Sequence, residues 1–452
     1  MIKDRGTFGS KLGIILATAG SAIGLGNIWR FPFMTGHNGG AAFIIIYLVC
    51  VMMLGVPGMI AEFVVGRHSS SNAARAYSVI GNSKRWGLVG VLGILTSTII
   101  LGFYAVVAGW CVHYLFVSVS GQLAGTPEEV SHYFTTFSSS ALQPALFGIV
   151  IILATHLVVV RGIRSGIERA SKFLMPLLFL LLLVIVVASC LLPGAWRGVE
   201  FLLKPDFSKV TASVFLEALG QAFFSLSLGT ACLCTFASYF GRTVNLGRSA
   251  LQIALLDTLI AILAGLMIFP AAFSAGISPD AGPSLIFITL PNVFQQAFSA
   301  MPVVGYVISI LFYALLSLAA LTSTISMHEI GTAFFHEELH ISRRGGAWTL
   351  TAISSVICVL CSLSVGRPDI FGLFGMALLD FCDMLTAQYL LPVGSLLTCI
   401  LVGWIAEHKT VRGEFTNGDT LPGRFFHLWL LCVKYICPAC ILLIFLHQLG
   451  VI

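Results

Sequence analysis

Long apolar segments separated by short polar connections follow one another along the chain. Each is long enough to cross a bilayer as a helix, since about 20 apolar residues span the hydrocarbon. The period-2 alternation of barrel strands does not occur, and only helices and closed barrels satisfy their backbone hydrogen bonds in lipid. The pattern predicts an all-α multi-pass membrane protein with eleven transmembrane helices. These segments, numbered 1 to 11 in chain order, are 10–35, 41–66, 86–117, 141–160, 166–192, 213–240, 247–276, 302–335, 347–364, 373–406 and 424–449.

The composition supports this prediction. Of 452 residues, 58% are hydrophobic and 10% are Asp, Glu, Lys or Arg, and the mean hydropathy is +0.98. Soluble proteins carry about 25% charged residues. The net charge of +5 is spread over short loops, so it does not indicate a nucleic-acid partner. The twelve cysteines lie in apolar runs, and we interpret them as small hydrophobic residues.

The distribution of Lys and Arg predicts the orientation. If the N-terminus is cytoplasmic, the inner connections hold 18 of the 24 Lys and Arg residues. The outer connections hold four, namely Arg197, Lys204, Lys209 and Arg367. Cytoplasmic loops of membrane proteins carry the excess of positive charge. We therefore expect the N-terminus inside and the C-terminus outside, with the first apolar segment retained as a span because it lacks a small-residue cleavage site.

Two segments carry glycine and small polar residues in mid-span. Segment 1 has Gly20, Gly24 and Gly26 within seven residues, and each glycine weakens a helix by about 1 kcal/mol relative to alanine. Segment 6 has the run SLSLGT at 225–230 at a similar depth. These runs predict unwound centres in both helices.

Interrupted first and sixth helices are typical of an inverted five-plus-five repeat, with a binding site between them at the bilayer midplane. We therefore expect one transporter domain over 1–452, with repeats at 10–192 and 213–406 and an added helix at 424–449. Close helix packing through small residues is the alternative interpretation of the glycines.

The run GSAIGLGNIWRFP at 20–32 resembles the first helix of the neurotransmitter:sodium symporter family. Eleven helices resemble its bacterial amino-acid transporter branch, which implies a bacterial inner membrane. Further matches are NGG at 38–40, GVPGMIAEFVVGR at 55–67, FYAVVAGW at 103–110, QAFFSLSLG at 221–229, LLDTLIAILAG at 255–265 and LAALTSTIS at 318–326.

The resemblance implies two sodium sites, in keeping with the preference of a hard cation for oxygen ligands. The first would use the Ala22 carbonyl, Asn27, Ser225, Asp257 and the carboxylate of the substrate. The second would use Gly20, Ile23, Ala319, Thr322 and Ser323. Hydroxyls that bond only to their own helix, and an Asp held by its neighbours, are the alternatives. Because Asp257 supplies a fixed negative charge, we expect no chloride requirement.

The resemblance also implies an amino-acid site between the two interrupted helices. Amides of Leu25 and Gly26 with the Tyr104 hydroxyl would receive a carboxylate, and carbonyls of segment 6 would receive an ammonium group. A mostly apolar pocket favours a neutral, hydrophobic or aromatic side chain. The expected substrate-binding residues are Ala22, Leu25, Gly26, Ile100, Tyr104, Phe224, Ser225, Ser227, Leu228, Thr230, Ser326 and Met327.

Charged residues near the predicted site suggest gates. Arg30 would pair with Asp383 on the outside, with Asp380 as the competing partner. On the inside, Arg5 would pair with Glu337 or Glu338, and Phe8 would act as an apolar plug. Gly166 and Pro176 in segment 5 would let its inner end unwind.

Three further titratable residues lie within the predicted spans. Glu62 would cap backbone freed by the break in segment 6. His113 and His328 lie within spans, where a hydrogen-bonded interior histidine is favoured over a proton-coupled role.

These features predict a sodium-coupled symporter that imports a neutral amino acid by alternating access. A transporter-like sensor or channel without coupled turnover is the alternative. No pair of nucleophile and base has recognisable spacing, so an enzyme is not expected. The predicted partners are an amino acid as the small-molecule substrate, sodium ions and the lipid bilayer, with no obligatory protein partner and no nucleic acid.

Overall fold

The computed structural model describes residues 6–121, 125–276 and 285–451. Within them it is helical, and its extended pairing is limited to one isolated bridge between Leu373 and Met376. The helices, with continuous π and 3-10 turns included, are α1 Lys11–Ala22, α2 Gly26–His37, α3 Ala41–Ser69, α4 Ala73–Ile80, α5 Lys84–Val119, α6 Pro127–Ser138, α7 Gln143–Val159, α8 Ile163–Cys190, α9 Trp196–Leu203, α10 Ala212–Ser225, α11 Cys232–Ala237, α12 Leu246–Ala275, α13 Leu285–Ala297, α14 Pro302–Glu338, α15 Arg343–Gly366, α16 Pro368–Phe371, α17 Leu378–Ile405, α18 His408–Phe415 and α19 Gly423–Gln448.

The prediction of a multi-pass helical protein is confirmed. In the described ranges, 8 helices are long and apolar enough to cross a membrane, or up to 10 if each of two bent pairs is one span. The bent pairs are α1 with α2 and α6 with α7. An eleventh span would require α10 and α11 to cross the bilayer together, so the number eleven stays a prediction.

The interruption of segment 1 is confirmed. Residues 23–25 separate α1 from α2, whose axes differ by 58°. The Gly24 N–H donates to Asn27 Oδ1 at 3.1 Å, whereas a continuous helix would direct it to the Gly20 carbonyl. The Asn27 N–H donates to the Gly24 carbonyl at 3.2 Å, which leaves the Ile23 carbonyl without a helical partner. The break is shorter than the glycine pattern predicts, because Gly20 remains in α1.

Segment 6 is also interrupted, over residues 226–231 between α10 and α11. Three residues in this stretch have positive φ: Ser227 at 53°, Gly229 at 81° and Ala231 at 59°. Side chains with a Cβ rarely adopt this conformation, so neighbouring elements must stabilise it. One of them does so through Ser97 on α5, whose hydroxyl donates to the Thr230 carbonyl at 2.5 Å.

The helices pack in two groups around these breaks. One group contains α1, α2, α3, α11 and α12, and the other contains α5, α7, α14 and α15. Helix α1 contacts both α12 and α14, so the break after α1 lies where the two groups meet. Buried side chains from both groups form one continuous apolar core. The fold thus encloses the unpaired backbone groups in protein, as lipid would not tolerate them.

Helix α8 is continuous despite the two residues expected to loosen it. It begins with a π turn over Ile163–Glu168 that contains Gly166, and it continues through Pro176 to Cys190. The unwinding of its inner end therefore stays a prediction about another conformation of the protein.

Candidate functional site

Asp257 on α12 is the centre of a buried polar cluster. Its carboxylate accepts hydrogen bonds from Asn27 Nδ2 at 2.8 Å and from the Ser225 hydroxyl at 2.7 Å. The Tyr47 hydroxyl on α3 donates to it at 3.3 Å. Asp257 and Asn27 are 0% exposed and Ser225 is 3% exposed. The cluster joins α2, α3, α10 and α12, and it brings together three of the residues predicted for the first sodium site.

The Asn27 side chain has a definite orientation in this cluster. Its Nδ2 faces Asp257 and also contacts the Ser225 hydroxyl at 3.2 Å, whereas its Oδ1 accepts the Gly24 N–H. A cation beside Asp257 needs oxygen ligands, so Asn27 would have to rotate its amide to become one. Ala22, the remaining predicted ligand, is the last residue of α1 and is buried.

The residues predicted for the second sodium site also meet. The hydroxyls of Thr322 and Ser323 on α14 each lie 3.4 Å from the Ile23 carbonyl that the break leaves free. Thr322 also donates to the Ala319 carbonyl of its own helix at 2.9 Å. A Cβ added to Gly20 would lie 3.5 Å from Thr322 Cβ. Two carbonyls and two hydroxyls from α1 and α14 therefore converge, and all are acceptable ligands for a hard cation.

The start of α2 lies against Tyr104 of α5 and Phe224 of α10. The Leu25 N–H donates to the Tyr104 hydroxyl at 3.2 Å. A Cβ at Gly24 would come within 3.1 Å of the same hydroxyl, and one at Gly26 would lie 3.3 Å from the Phe224 ring. Backbone amides and a phenol thus face one space, with an aromatic ring beside it. The positive end of a helix dipole and a hydroxyl donor favour a carboxylate at such a place.

The other predicted pocket residues have varied surroundings. The Ser227 hydroxyl donates to the Ser21 carbonyl at 3.3 Å, and the Thr230 hydroxyl donates to the Ser227 carbonyl at 2.7 Å. Ser326 bonds to its own helix, at 3.2 Å from the Thr322 carbonyl. The Leu228 side chain packs beside Gly58 of α3, so its part in a substrate pocket stays a prediction. Ile100 and Met327 are both half-buried.

The predicted outer gate residues face each other without forming an ion pair. The Arg30 guanidinium lies 4.3 Å from the centre of the Phe224 ring, and Arg30 and Asp383 interact electrostatically. Among the described residues, no carboxylate oxygen lies within 4.0 Å of Arg30. Asp380, the competing partner, is exposed.

The predicted inner gate can be placed in part. Arg5 lies outside the described residues. Glu337 accepts the Asn72 N–H at 2.7 Å, and Glu338 pairs with Arg75 at 3.0 Å. Phe8 packs with its ring centre 6.0 Å from that of Phe236 in α11.

Helix α14 has a further buried carboxylate contact, at Glu329. The Tyr239 hydroxyl, just after α11, donates to Glu329 of α14 at 2.7 Å, and Arg343 of α15 pairs with the same carboxylate.

The whole chain matches one family model, described as the sodium:neurotransmitter symporter family, over residues 5–137 and 138–452. The chain belongs to this family. Its relatives include the sodium-dependent transporter YhdH of Bacillus subtilis, 38% identical over 98% of this chain and 97% of the relative. A sodium-dependent transporter of Haemophilus influenzae is 34% identical over 99% of both chains.

A solved structure also matches the chain. This symporter is similar to the crystal structure of MhsT in complex with L-phenylalanine, with a TM-score of 0.87 and 38% identity, over 98% of this chain and 100% of that one. Family membership makes the protein a multi-pass, sodium-dependent membrane transporter of a small molecule. It also implies a transporter and not an enzyme.

Glu62 supports the break in segment 6 of this symporter, as predicted. Its Oε1 accepts the Gly229 N–H at 2.7 Å, and the side chain is 1% exposed. Because Gly229 lies in the left-handed region, its amide points out of the helical path and needs such an acceptor. Ser97 bonds to the break in segment 6 and Tyr47 bonds to Asp257, and sequence reasoning missed both residues. Ser97 lies six residues before the family match FYAVVAGW at 103–110 in the same helix, so that match did not include it.

The histidines in the spans of the symporter have interior partners. His328 lies 2.9 Å from the Thr351 hydroxyl and 3.0 Å from that of Thr332, and it is 0% exposed. His113 stacks on Phe137 with ring centres 3.8 Å apart. His328 is thus a hydrogen-bonded interior histidine, as expected. His113 meets the expectation in part: its Nε2 lies 2.8 Å from the Tyr133 hydroxyl, but its Nδ1 has no partner among the described residues.

We expect Glu62→Ala to destabilise the symporter by about 1 to 3 kcal/mol, the usual cost of leaving a buried donor without its acceptor. Glu62→Gln should cost less than half as much, because it keeps an acceptor for the Gly229 N–H. Its amide nitrogen would take the place of Oε2, which has no hydrogen-bond partner among the described residues. Thermal unfolding of the purified variants measures both effects. Equal stability of the alanine variant and the wild type would contradict the supporting role of Glu62.

Proposed function

We propose that this symporter imports a neutral α-amino acid with a hydrophobic or aromatic side chain, driven by sodium entry. The observation that carries the proposal lies at the start of α2, where the Leu25 N–H donates to the Tyr104 hydroxyl at 3.2 Å and Asn27, two residues later, donates to Asp257. A carboxylate placed there would meet donors on one side and a cation site on the other. The substrate carboxylate would then complete the coordination shell of the sodium ion.

The ammonium group of the substrate would bind at the break in segment 6. Carbonyls of Phe224 and Ser227 lie at the C-terminal end of α10, which carries partial negative charge. The Ser227 carbonyl accepts one hydrogen bond, from the Thr230 hydroxyl, and has a second lone pair for the ammonium group. The Phe224 carbonyl accepts the N–H groups of Leu226 and Ser227 and would have to exchange one of them for the ammonium group. This dipole pairing suits a zwitterion. The Phe224 ring and the half-buried Ile100 give the side chain apolar surroundings.

The relative MhsT supports the choice of side chain, since that protein was crystallised with L-phenylalanine. At Thr230 and Ala231 this chain departs from the pattern that the family resemblance implies, which is a bulkier residue followed by glycine. We therefore assign the substrate as a class of amino acids and not as one compound.

Two sodium ions would serve different purposes. The first, beside Asp257 and Asn27, would couple directly to the substrate carboxylate. The second, between Ile23 and the Thr322 and Ser323 hydroxyls, would hold α1 against α14 and so favour the closed inner side. Asp257 supplies the negative charge that an anion would otherwise provide, so no chloride is needed.

Alternating access would move the group that contains α1 and α12 relative to the group that contains α5 and α14. We infer an inverted repeat of 10–192 and 213–406 with α19 added outside it. The excess of Lys and Arg in the inner connections favours a cytoplasmic N-terminus, an external C-terminus and a bacterial inner membrane.

Uptake into sealed proteoliposomes tests this function. With an inward sodium gradient, radiolabelled hydrophobic amino acids should accumulate above their external concentration, and an equal potassium gradient should give no accumulation. A screen of all twenty amino acids identifies the class. Sensing or channel activity would show binding or equilibration without accumulation, and that result would overturn the proposal.

The same assay tests the chloride prediction. Replacing chloride with gluconate on both sides should leave the initial uptake rate unchanged within about twofold, because Asp257 is a fixed anion next to the ion site. The sodium concentration stays constant in this comparison. Loss of uptake without chloride would show that a mobile anion, and not Asp257 alone, balances the sodium charge.

A further inference from the structure

A basic cavity lies at the inner end of α8, away from the transport site. It is an open pocket with a volume of about 210 Å³, lined by Gly9, Arg164, Glu168, Arg169 and Lys172. Arg164, Glu168 and Lys172 are four residues apart and therefore share one face of α8. Arg164 covers the chain just before α1, since a Cβ at Gly9 would lie 2.7 Å from Arg164 Nε.

The single acidic group in the cavity is already engaged. Glu168 accepts the Gly9 N–H at 2.6 Å and the Ser10 hydroxyl at 2.8 Å, and it pairs with Lys172 at 2.6 Å. For Arg164 and Arg169, the described part of the chain provides no carboxylate within ion-pair distance. Both are exposed, so the cavity presents two guanidinium groups without an anionic partner. Guanidinium groups bind phosphate oxygens with bidentate geometry.

The lipid-facing surface of α8 begins at this cavity. Phe173 is 68% exposed, Leu180 57%, Val187 57% and Leu191 80%. Their spacing from Arg169, in steps of four and seven residues, places them on the same side of the helix. At 1.5 Å per residue this apolar stripe is about 27 Å long from Phe173 to Leu191, close to the hydrocarbon thickness of the whole bilayer. One acyl chain would therefore cover only the half of the stripe next to Arg169. Arginine would bind the anionic headgroup of a phospholipid, and the exposed apolar stripe would contact its acyl chain.

We propose that this cavity binds the phosphate group of an anionic glycerophospholipid of the inner leaflet, with an acyl chain along the stripe on α8. The placement in the inner leaflet rests on the proposed orientation of the symporter. A soluble phosphate could bind the same arginines, but it has no acyl chain to contact the apolar stripe. The continuity between cations and apolar surface favours the lipid.

Native mass spectrometry of the purified full-length protein tests the binding. The protein is titrated with phosphatidylglycerol and, separately, with phosphatidylcholine of the same acyl chains. Removing both cations in Arg164→Gln/Arg169→Gln should weaken phosphatidylglycerol binding by about tenfold or more, since each basic residue near anionic lipid contributes about fivefold. Binding of phosphatidylcholine should not change.

A matched control removes the same charge elsewhere. Arg248→Gln/Arg344→Gln changes two other exposed cytoplasmic arginines and should leave phosphatidylglycerol binding within twofold of the wild type. Arg164→Lys/Arg169→Lys should restore most of the affinity, and this variant separates loss of charge from misfolding.

Two results would overturn the proposal: equal weakening by the control pair, or displacement of the lipid by millimolar inorganic phosphate. The binding assay contains no transported amino acid, so failure of the transport proposal would leave its result unaffected.

Discussion

Replacing Asp257 with alanine is expected to weaken sodium-dependent substrate binding by more than about 100-fold, because removal of one partner from a buried charged cluster costs about 3 to 5 kcal/mol. Three groups would lose their acceptor at once: Asn27 Nδ2, the Ser225 hydroxyl and the Tyr47 hydroxyl. The sodium concentration for half-maximal binding of labelled amino acid, measured on purified protein, gives the size of the effect.

Two milder substitutions separate charge from hydrogen bonding at this position. Asp257→Asn keeps the shape of the side chain and should still lose most of the sodium affinity, because the fixed negative charge is gone. Tyr47→Phe removes one long hydrogen bond of 3.3 Å and should change the affinity by less than about fivefold. An unaltered sodium titration in the asparagine variant would contradict the assignment of Asp257 to the first ion.

The double substitution Thr322→Ala/Ser323→Ala should abolish sodium coupling and leave the protein folded. Both hydroxyls contact the Ile23 carbonyl in the break after α1, and each neutral ligand contributes about 1 kcal/mol. Their combined loss should raise the sodium requirement about 30-fold. Accumulation in proteoliposomes should fall to the level seen with a potassium gradient.

Thr324 provides the matched control for this pair. Its hydroxyl points to the other side of α14, where it contacts Thr155 of α7 at 2.7 Å. Thr324→Val should therefore reduce stability without changing the sodium titration. If Thr324→Val raised the sodium requirement as much as the double variant, the second site would have been placed on the wrong face of α14.

The sequence was sufficient to predict the interrupted helices, and the reason is physical. Glycines that weaken a helix are costly in lipid unless the freed backbone groups find partners, so the run from Gly20 to Gly26 indicated a functional break. A buried carboxylate such as Asp257 is costly for the same reason and indicated a polar cluster. Glu62 was predicted as a partner for segment 6, and it binds the Gly229 amide.

Other features depended on tertiary contacts that no local pattern contains. The left-handed conformations of Ser227 and Ala231 arise because neighbouring helices determine the path of the chain between α10 and α11. The direction of the Asn27 amide follows from two partners at once, since its Nδ2 donates to Asp257 and its Oδ1 accepts the Gly24 N–H. Separation of Arg30 from Asp383 reflects the relative position of α2 and α17, which the sequence does not specify.

Reciprocal binding of sodium and amino acid tests the central claim most directly. If the carboxylate of the substrate completes the shell of an ion bound at the two breaks, each ligand must raise the affinity for the other by the same factor. Equilibrium binding of labelled amino acid should therefore tighten at least about tenfold as sodium replaces potassium at constant ionic strength, which corresponds to a coupling free energy of about 1.4 kcal/mol. Sodium binding, followed at saturating and at zero amino acid, should shift by the same factor. Equal amino-acid affinity in sodium and potassium would contradict the account.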